Sequence, residues 1–584
     1  MFLNTLRRPH RNHRPAQTGD IGAPATTAPW APDTTTRDSG VVLVWFALSL
    51  TVLVGMVGFA TDLAYWYLTA SRAQNAADAS AMAGVVFLPG DMTQASSIAN
   101  TVSTNHGFAT PQVAAGSKPN QIRVTTSKSV GTYFVKIFGL NSITIKRTAL
   151  AEYEQPVAMG SPDANLGNDP DNNILPQYWL NIAGPETDKS NGDRYATKRC
   201  GASGTNESCS TATTPNNAEY SADGYFYGVQ GKAGETLRIQ LWDGAYVPVG
   251  DVCNQSTWPT AAQLTQLQTW YGSDANVRYA TGLSKWCSGD QPLGSLNNLA
   301  RTSVIVRAPD ATPWSDTDNP VISSCTQNFP GYALGGSNPT FYQLLHPSDG
   351  VADAQAVRNV ADGVLTFAET YRQWATVCDI TSAVDGDYLV QIRTNGAAAN
   401  PLIYDSAVNF GGHNRFSMRV GQATGALGTT GAGYVVYARG RLPIYANNGG
   451  TTFRAARVVP GANNRVLQLT LYDIGDATGS GTLYFTPSAD ANITSFTGCA
   501  FRRSDNVALT GANPSNCSVS GVVSSSFNGK IVTVDIPIPG TYTCNVASAT
   551  GCWVNVFPDF TTANPTDTTT WSATMLGTPV RLVQ

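Results

Sequence analysis

The run GVVLVWFALSLTVLVGMVGFA, Gly40 to Ala60, carries no charged residue and only Ser49 and Thr51 as polar interruptions. Its 21 residues would rise about 31 Å as a helix, the thickness of a bilayer's hydrocarbon core, so a transmembrane helix is expected over 39–61. The competing reading, a cleaved secretory signal ending at Gly58-Phe59-Ala60, suits a shorter apolar stretch of about 7–15 residues. Asp62 ends the run, and Tyr65, Trp66 and Tyr67 follow at the level where amphipathic rings settle among headgroups. No proline intervenes before Pro89, which predicts one helix of about 45 residues passing from lipid into water. Arg7, Arg8, Arg11, Arg14 and Arg37 precede the run, whereas Arg72 is the only Lys or Arg between Asp62 and Lys118. That asymmetry places the amino terminus in the cytoplasm and about 520 residues outside.

Only 13% of the 584 residues are charged, against roughly 25% in ordinary soluble proteins, while Gly, Thr, Asn and Ser abound. This is the composition of an exported β-rich protein. A net charge of −4 leaves no electrostatic footprint for nucleic acid, which is not expected as a partner. All ten cysteines lie beyond the apolar run, and an even number on the exported side reads as disulfides formed in an oxidising compartment. Neighbours are expected to pair: Cys200 with Cys209, Cys253 with Cys287, Cys325 with Cys378, Cys499 with Cys517, and Cys544 with Cys552; spacing alone leaves the connectivity open. No C-x-x-C supports a metal centre instead.

Residues 1–38, rich in Arg, Pro, Thr and Ala, cannot bury enough surface to fold and are expected to form a disordered cytoplasmic arm. Past Pro89-Gly90, Asp91 and Gln94 resemble a capping box, and Met92, Ala95, Ile98, Ala99 and Val102 predict a second helix ending at Gly107. Ile122 and Val124 alternate as in a strand, Val130, Phe134, Ile137 and Phe138 return to helical spacing, and Ile143, Ile145, Ala149 and Ala151 suggest another strand. The long helix and a small α/β unit therefore fill 62–155, and the Pro-, Gly- and Asn-rich 156–172 reads as a linker.

The rest reads as strands, with helical periodicity only near 260–271 and 352–375. It contains an internal repeat: GKAGETLRIQLWD (Gly231 to Asp243) aligns without a gap on GANNRVLQLTLYD (Gly461 to Asp473). Leu237, Ile239 and Leu241 match Leu467, Leu469 and Leu471, alternation that suits a strand buried on one face and turning at its aspartate. DGDYLVQI (385–392) and PGTYTCNV (539–546) share a second frame. The expected fold is mixed: a transmembrane helix, an α/β unit, then two related all-β sandwich domains, 173–436 with an insertion at 244–380, and 437–584.

Catalytic patterns are missing. G-x-S-x-G, H-E-x-x-H and G-x-x-x-x-G-K-[ST] do not occur, and His106, His346 and His413 stand in no triad context, so no enzyme activity and no cofactor are expected. Asp169 to Asn173, Asp188 to Asp193 and Asp316 with Asp318 offer the hard oxygen ligands that suit calcium, but none follows the twelve-residue loop spacing, and Asx-rich turns explain all three. Trp258, Trp270 and Trp286 fit either a core or a glycan-stacking face.

The stretch carrying Gly58, Asp62, Arg72, Gln74, Asn75, Ala76, Ala77, Asp78, Ala79, Ala81 and Ala83 resembles the amino-terminal region of the Tad/Flp pilus-assembly family, in particular its TadG-like members, over about 37–155. The resemblance implies a pilin-like α/β unit beside the helix, an alanine-rich face on which other helices pack, and other pilus-assembly proteins as partners. Some TadG-like proteins carry a von Willebrand type A metal site beginning D-x-S-x-S, which this chain lacks beyond the span. Pilin-like relatives are cut after a glycine with glutamate at the fifth position; here Gly40 is followed at that position by Trp45, so the arm is expected to be retained. The function so implied is that of a non-enzymatic, surface-exposed accessory of a Tad/Flp-type pilus, held in the cell membrane by one span. A cell-surface adhesin or glycan-binding protein using the same anchor is the alternative.

Overall fold

The computed structural model describes residues 39–88, 92–117, 120–153, 157–174, 178–184, 187–195, 217–245, 260–271, 288–290, 301–310, 315–329, 370–381, 383–395, 412–429, 433–446, 452–475, 479–560, 567–577 and 580–583. They fall into two compact units, one holding 39–68 with 129–143, the other 69–128 with 144–583. Helix α1 (Ser39–Val85) runs unbroken for 47 residues, as its proline-free sequence predicts. Large apolar side chains from Val41 to Phe59 stand exposed on a helix long and apolar enough to cross a membrane.

After α1 come α2 (Met92–Asn105), β1 (Gln112–Ala115), β2 (Gln121–Gly131) and β3 (Ser142–Tyr153). The chain continues through β4 (Ala158–Met159), β5 (Asn165–Leu166), β6 (Tyr178–Ala183), β7 (Tyr225–Gly231), β8 (Leu237–Trp242), α3 (Ala261–Tyr271), β9 (Arg301–Arg307), β10 (Val321–Phe329), β11 (Trp374–Ile380), β12 (Gly386–Asn395) and β13 (His413–Gln422). It ends with β14 (Val436–Arg439), β15 (Arg441–Ala446), β16 (Phe453–Arg457), β17 (Val466–Tyr472), β18 (Gly481–Pro487), β19 (Ala500–Arg503), β20 (Ala512–Asn513), β21 (Ser518–Val522), β22 (Ile531–Pro537), β23 (Trp553–Asp559), β24 (Asp567–Met575) and β25 (Val580–Leu582).

Among the described residues these strands form a small sheet, β1-β2-β3-β25, and three larger ones. The larger orders are β10-β9-β12-β7-β14-β4, β16-β23-β18-β21-β20, and a long sheet β11-β8-β13-β6-β15-β24-β17-β22-β19 with β5 on β13. Leu237, Ile239, Leu241, Leu467, Leu469 and Leu471 of the long sheet share one core with Val229, Val306 and Val390 of the second sheet and Phe485, Val554 and Val556 of the third. Alternation of period two supplies that face.

The repeat pair, β8 and β17, is bordered alike. β8 lies between β11 and β13, with Trp242 opposite Trp374 and Ser417; β17 lies between β22 and β24, with Tyr472 opposite Ile531 and Thr570. Each ends at an aspartate in the left-handed region, Asp243 at φ 51° and Asp473 at φ 61°. Their N–H groups donate across to Gln373 and Lys530 carbonyls, at 3.2 and 2.9 Å. The likeness extends to the facing sheets, where β12 pairs with β7 and β9 as β23 pairs with β16 and β18.

Several local expectations need correction. The stretch with helical spacing at 130–138 is the end of β2 and one 3-10 turn, Val135–Phe138, because Gly139 at φ 87° ends the turn after four residues. Of the 156–172 segment, 157–170 is packed, with β4 on β14 and β5 on β13, and Asn168 and Asp169 buried. Its strands are too short to show periodicity. Residues 244–380 contain β9 and β10, and β9 sits inside the second sheet. Of the second shared frame, 386–392 is strand, whereas 539–546 is turn and irregular chain before β23. The helix expected at 260–271 is α3; that at 352–375 lies mostly outside the described residues, and Trp374 opens β11.

Candidate functional site

Asp62 is the first charged side chain after the apolar run, and it is buried. A carboxylate so placed needs donors. The turn between β2 and β3 provides them: Tyr133 N–H donates to Oδ1, and Phe134 and Val135 N–H donate to Oδ2, each at 2.8 Å. Three successive amides converge because they open a 3-10 turn, whose first N–H groups have no partner within the turn.

Gly58 stands one helical turn earlier on the same face. A Cβ there would lie 2.6 Å from Phe134 Cγ and 3.0 Å from its Cβ, so glycine is what lets the ring reach the helix. The Tyr65 and Tyr133 rings meet edge-on at 5.7 Å. The spacing G-x-x-x-D is thus one binding face: a gap for a ring, then an acceptor for the turn's amides.

The second unit uses the next part of α1 differently. Ala77, Ala81 and Val85 pack with Ala95 and Ala99 of α2 and with Ile122, Val124, Ala149 and Ala151 of the small sheet. Ala73 and Ala76 are buried too, and a Cβ on Gly84 would lie 2.7 Å from the Ala95 carbonyl oxygen. Gln74 Nε2 donates to Asp78 Oδ1 at 2.8 Å and to the Thr148 carbonyl at 3.5 Å, while Arg72 and Asn75 are exposed. The alanine face expected to receive other helices is therefore covered by the chain's own sheet and α2. Side chains no larger than a methyl let the helix lie that close.

The other candidate residues are placed as follows. Cys325 joins Cys378, Cys499 joins Cys517 and Cys544 joins Cys552, with Cα separations of 4.9, 5.4 and 5.2 Å. Cys200, Cys209, Cys253 and Cys287 lie outside the described residues, as do His346, Trp258 and Trp286. Asp169 accepts the N–H groups of Asp171 and Asn172, and its Oδ2 faces Arg419 at 3.6 Å, an Asx turn held by an arginine. Asp188 caps a 3-10 turn through Ser190 N–H, Asp193 accepts from Ala183 N–H and the Tyr225 hydroxyl, and Asp316 pairs with Arg439 at 2.8 Å. His106 is exposed; His413 is buried, and burial with the nearby Arg415 charge pushes its pKa down to about 3.

Sequence reasoning missed the turn itself. Its signal is TYFVKIFGL (132–140), a dense apolar cluster closed by a glycine. The pairing of β25 with β3, with Arg581 donating to buried Glu152 at 3.1 Å, left no local signal at all.

Helix, clamp and sheets together define a β-rich protein headed by one helix long and apolar enough to cross a membrane. Residues 40–86, nearly the whole of that helix, match the family model described as "Putative Flp pilus-assembly TadE/G-like". The match takes in Gly58, Asp62 and the Arg72-to-Asp78 run, and it points to a pilus-related protein. No curated protein and no solved structure matches the chain.

Proposed function

We propose that the protein is a non-enzymatic, membrane-anchored accessory of a Tad/Flp-type pilus, with its amino terminus in the cytoplasm and the region after Asp62 outside the cell. The observation that carries this is the division of labour within the matched segment. Gly58 and Asp62 hold a hairpin turn against the helix as it ends its apolar run, and Ala77 and Ala81 seat the same helix on a sheet. Disulfides at 325–378, 499–517 and 544–552 agree with an oxidising exterior.

In this reading 62–155 is a pilin-like α/β unit, and 173–436 and 437–584 are two related β-sandwich domains. The matched pairing sets support common descent: β7, β8, β9, β11, β12 and β13 correspond to β16, β17, β18, β22, β23 and β24. Other pilus-assembly proteins are the partners.

Deleting the gene and counting surface filaments by electron microscopy tests the proposal. Filaments should be lost, restored by the full chain and not restored by a chain carrying Gly58→Leu with Asp62→Ala; an unchanged filament count in the deletion strain contradicts it. A second reading, adhesion to a cell-surface glycan, has as its candidate site a cleft of about 290 Å³ whose lining includes Asp163, Thr452 and Arg454. Binding on a glycan array by a strain with normal filaments would favour it.

A further inference from the structure

We propose that the turn 133–140 is a second membrane contact, seated in the outer leaflet beside the span. The proposal rests on the transmembrane reading of α1. Ile137 and Phe138 are 79% and 87% exposed, and Tyr133, Phe134 and Leu140 are exposed as well, all in one turn. Such a cluster at a hairpin tip marks a surface meant to be covered.

Its attachment points say by what. The tip is fastened to Gly58, two residues inside the end of the apolar run, and to Asp62, two residues beyond it. At about 1.5 Å per helical residue, both lie within about 3 Å of the level where hydrocarbon gives way to headgroups. A tip held there beside a lipid-facing helix meets lipid next.

Its backbone is prepared for that medium. Bare amides are costly in hydrocarbon. Asp62 takes the Tyr133, Phe134 and Val135 N–H groups, Thr132 N–H donates to the Asn141 carbonyl, Ile137 N–H to that of Phe134 and Gly139 N–H to that of Lys136. The Thr132 hydroxyl donates to the Leu140 carbonyl. Lys136, exposed on the same turn, has a stem long enough to carry its ammonium to phosphate oxygens, while Tyr65 and Tyr133 meet edge-on where interfacial rings settle. The clamp accordingly does two things: it satisfies the three amides that lead into the turn, and it fixes the turn's depth. Two contacts on the bilayer restrict tilt and rotation of the anchor, as a single helix cannot.

The full chain, with Leu53→Cys, Phe138→Cys or Val507→Cys each labelled with an environment-sensitive fluorophore, is reconstituted into phosphatidylcholine vesicles containing lipids brominated at shallow or deep acyl positions. Phe138 and Val507 are exposed, so neither label disturbs the core. The label at 138 is expected to be quenched by shallow bromines, that at 53 by deep ones, and that at 507 by neither. Quenching at 53 with none at 138 would overturn the proposal while leaving the span in place. A blue-shifted but unquenched label at 138 would overturn it too, because protein and not lipid would cover the tip. No quenching at 53 would remove the span and the proposal together.

Discussion

Asp62 accepts the N–H of Phe134 at 2.8 Å across 72 residues of sequence. The neighbouring bonds from Tyr133 and Val135 make this carboxylate the acceptor for a whole turn. In an Asp62→Ala chain, hydrogen exchange at the amides of 133–135 should quicken by about tenfold or more, with exchange in β17 and β22 unchanged. Unaltered exchange at 133–135 would mean that the turn holds itself.

Gly58 and Phe134 should be coupled. Gly58→Ala places a methyl within 2.6 Å of the ring, so it should destabilise the turn, and Phe134→Ala should relieve most of that loss. A double-mutant cycle on full-length protein in detergent, read as exchange protection of the turn, should return a coupling of about 0.5–3 kcal/mol. Additive effects would refute the contact.

The sequence made some of this legible and hid the rest for physical reasons. Gly40 to Ala60 and the proline-free continuation declare α1 because an uncharged apolar run of that length suits a spanning helix, and Leu237-Ile239-Leu241 and Leu467-Leu469-Leu471 declare β8 and β17 because each keeps a period of two. The match of Gly58 and Asp62 to a family marked them as special, yet their role lay with amides at 133–135, which no side-chain pattern encodes. Phe134, Ile137 and Phe138 imitated a helix face because an apolar tip need not alternate. Two-residue strands such as β4 and β5 are too short to show a period, and β25 finds β3 across most of the chain.

That last pairing has a measurable consequence. Arg581 reaches Glu152, whose side chain is 3% exposed and also accepts from Gln121 at 2.8 Å. Arg581→Ala should cost about 1–3 kcal/mol in thermal or denaturant unfolding of the full chain, since it leaves a buried carboxylate short of a donor. Removing 580–584 should further expose the β3 amides to exchange.

Reduction should act unequally on the three described disulfides. Sequence separations of 53, 18 and 8 residues correspond by loop-closure entropy to about 4, 3 and 2.5 kcal/mol. Alanine replacement of Cys325 with Cys378 should therefore lower the melting temperature most, and of Cys544 with Cys552 least; the reverse order would place their contribution in native contacts instead.

His413 should make the fold acid-sensitive. Burial, aided by Arg415, lowers its pKa from an ordinary 6.5 to about 3, so the unfolded chain takes up its proton first as pH falls. Its contribution is whole above pH 6.5 and is lost progressively toward pH 3. Asp243, raised to about 6 by burial despite Ser288 and Arg372, works oppositely, favouring the fold as pH drops from 6 to 3.8. The informative quantity is the difference between wild type and His413→Gln: the gap in melting temperature should narrow between pH 7 and pH 4, and a constant gap would show that His413 titrates normally.

The central claim is that α1 carries the chain from cytoplasm to exterior with its clamp on the outer side. Single cysteines at Ser39 and Arg72, one on each side of the apolar run and the latter exposed, can be probed on intact cells with a membrane-impermeant maleimide, wild-type protein serving as the background. Labelling at 72 and none at 39 until the cells are opened is the expected result; labelling at 39 alone would place the β-sheets inside the cell and contradict the account.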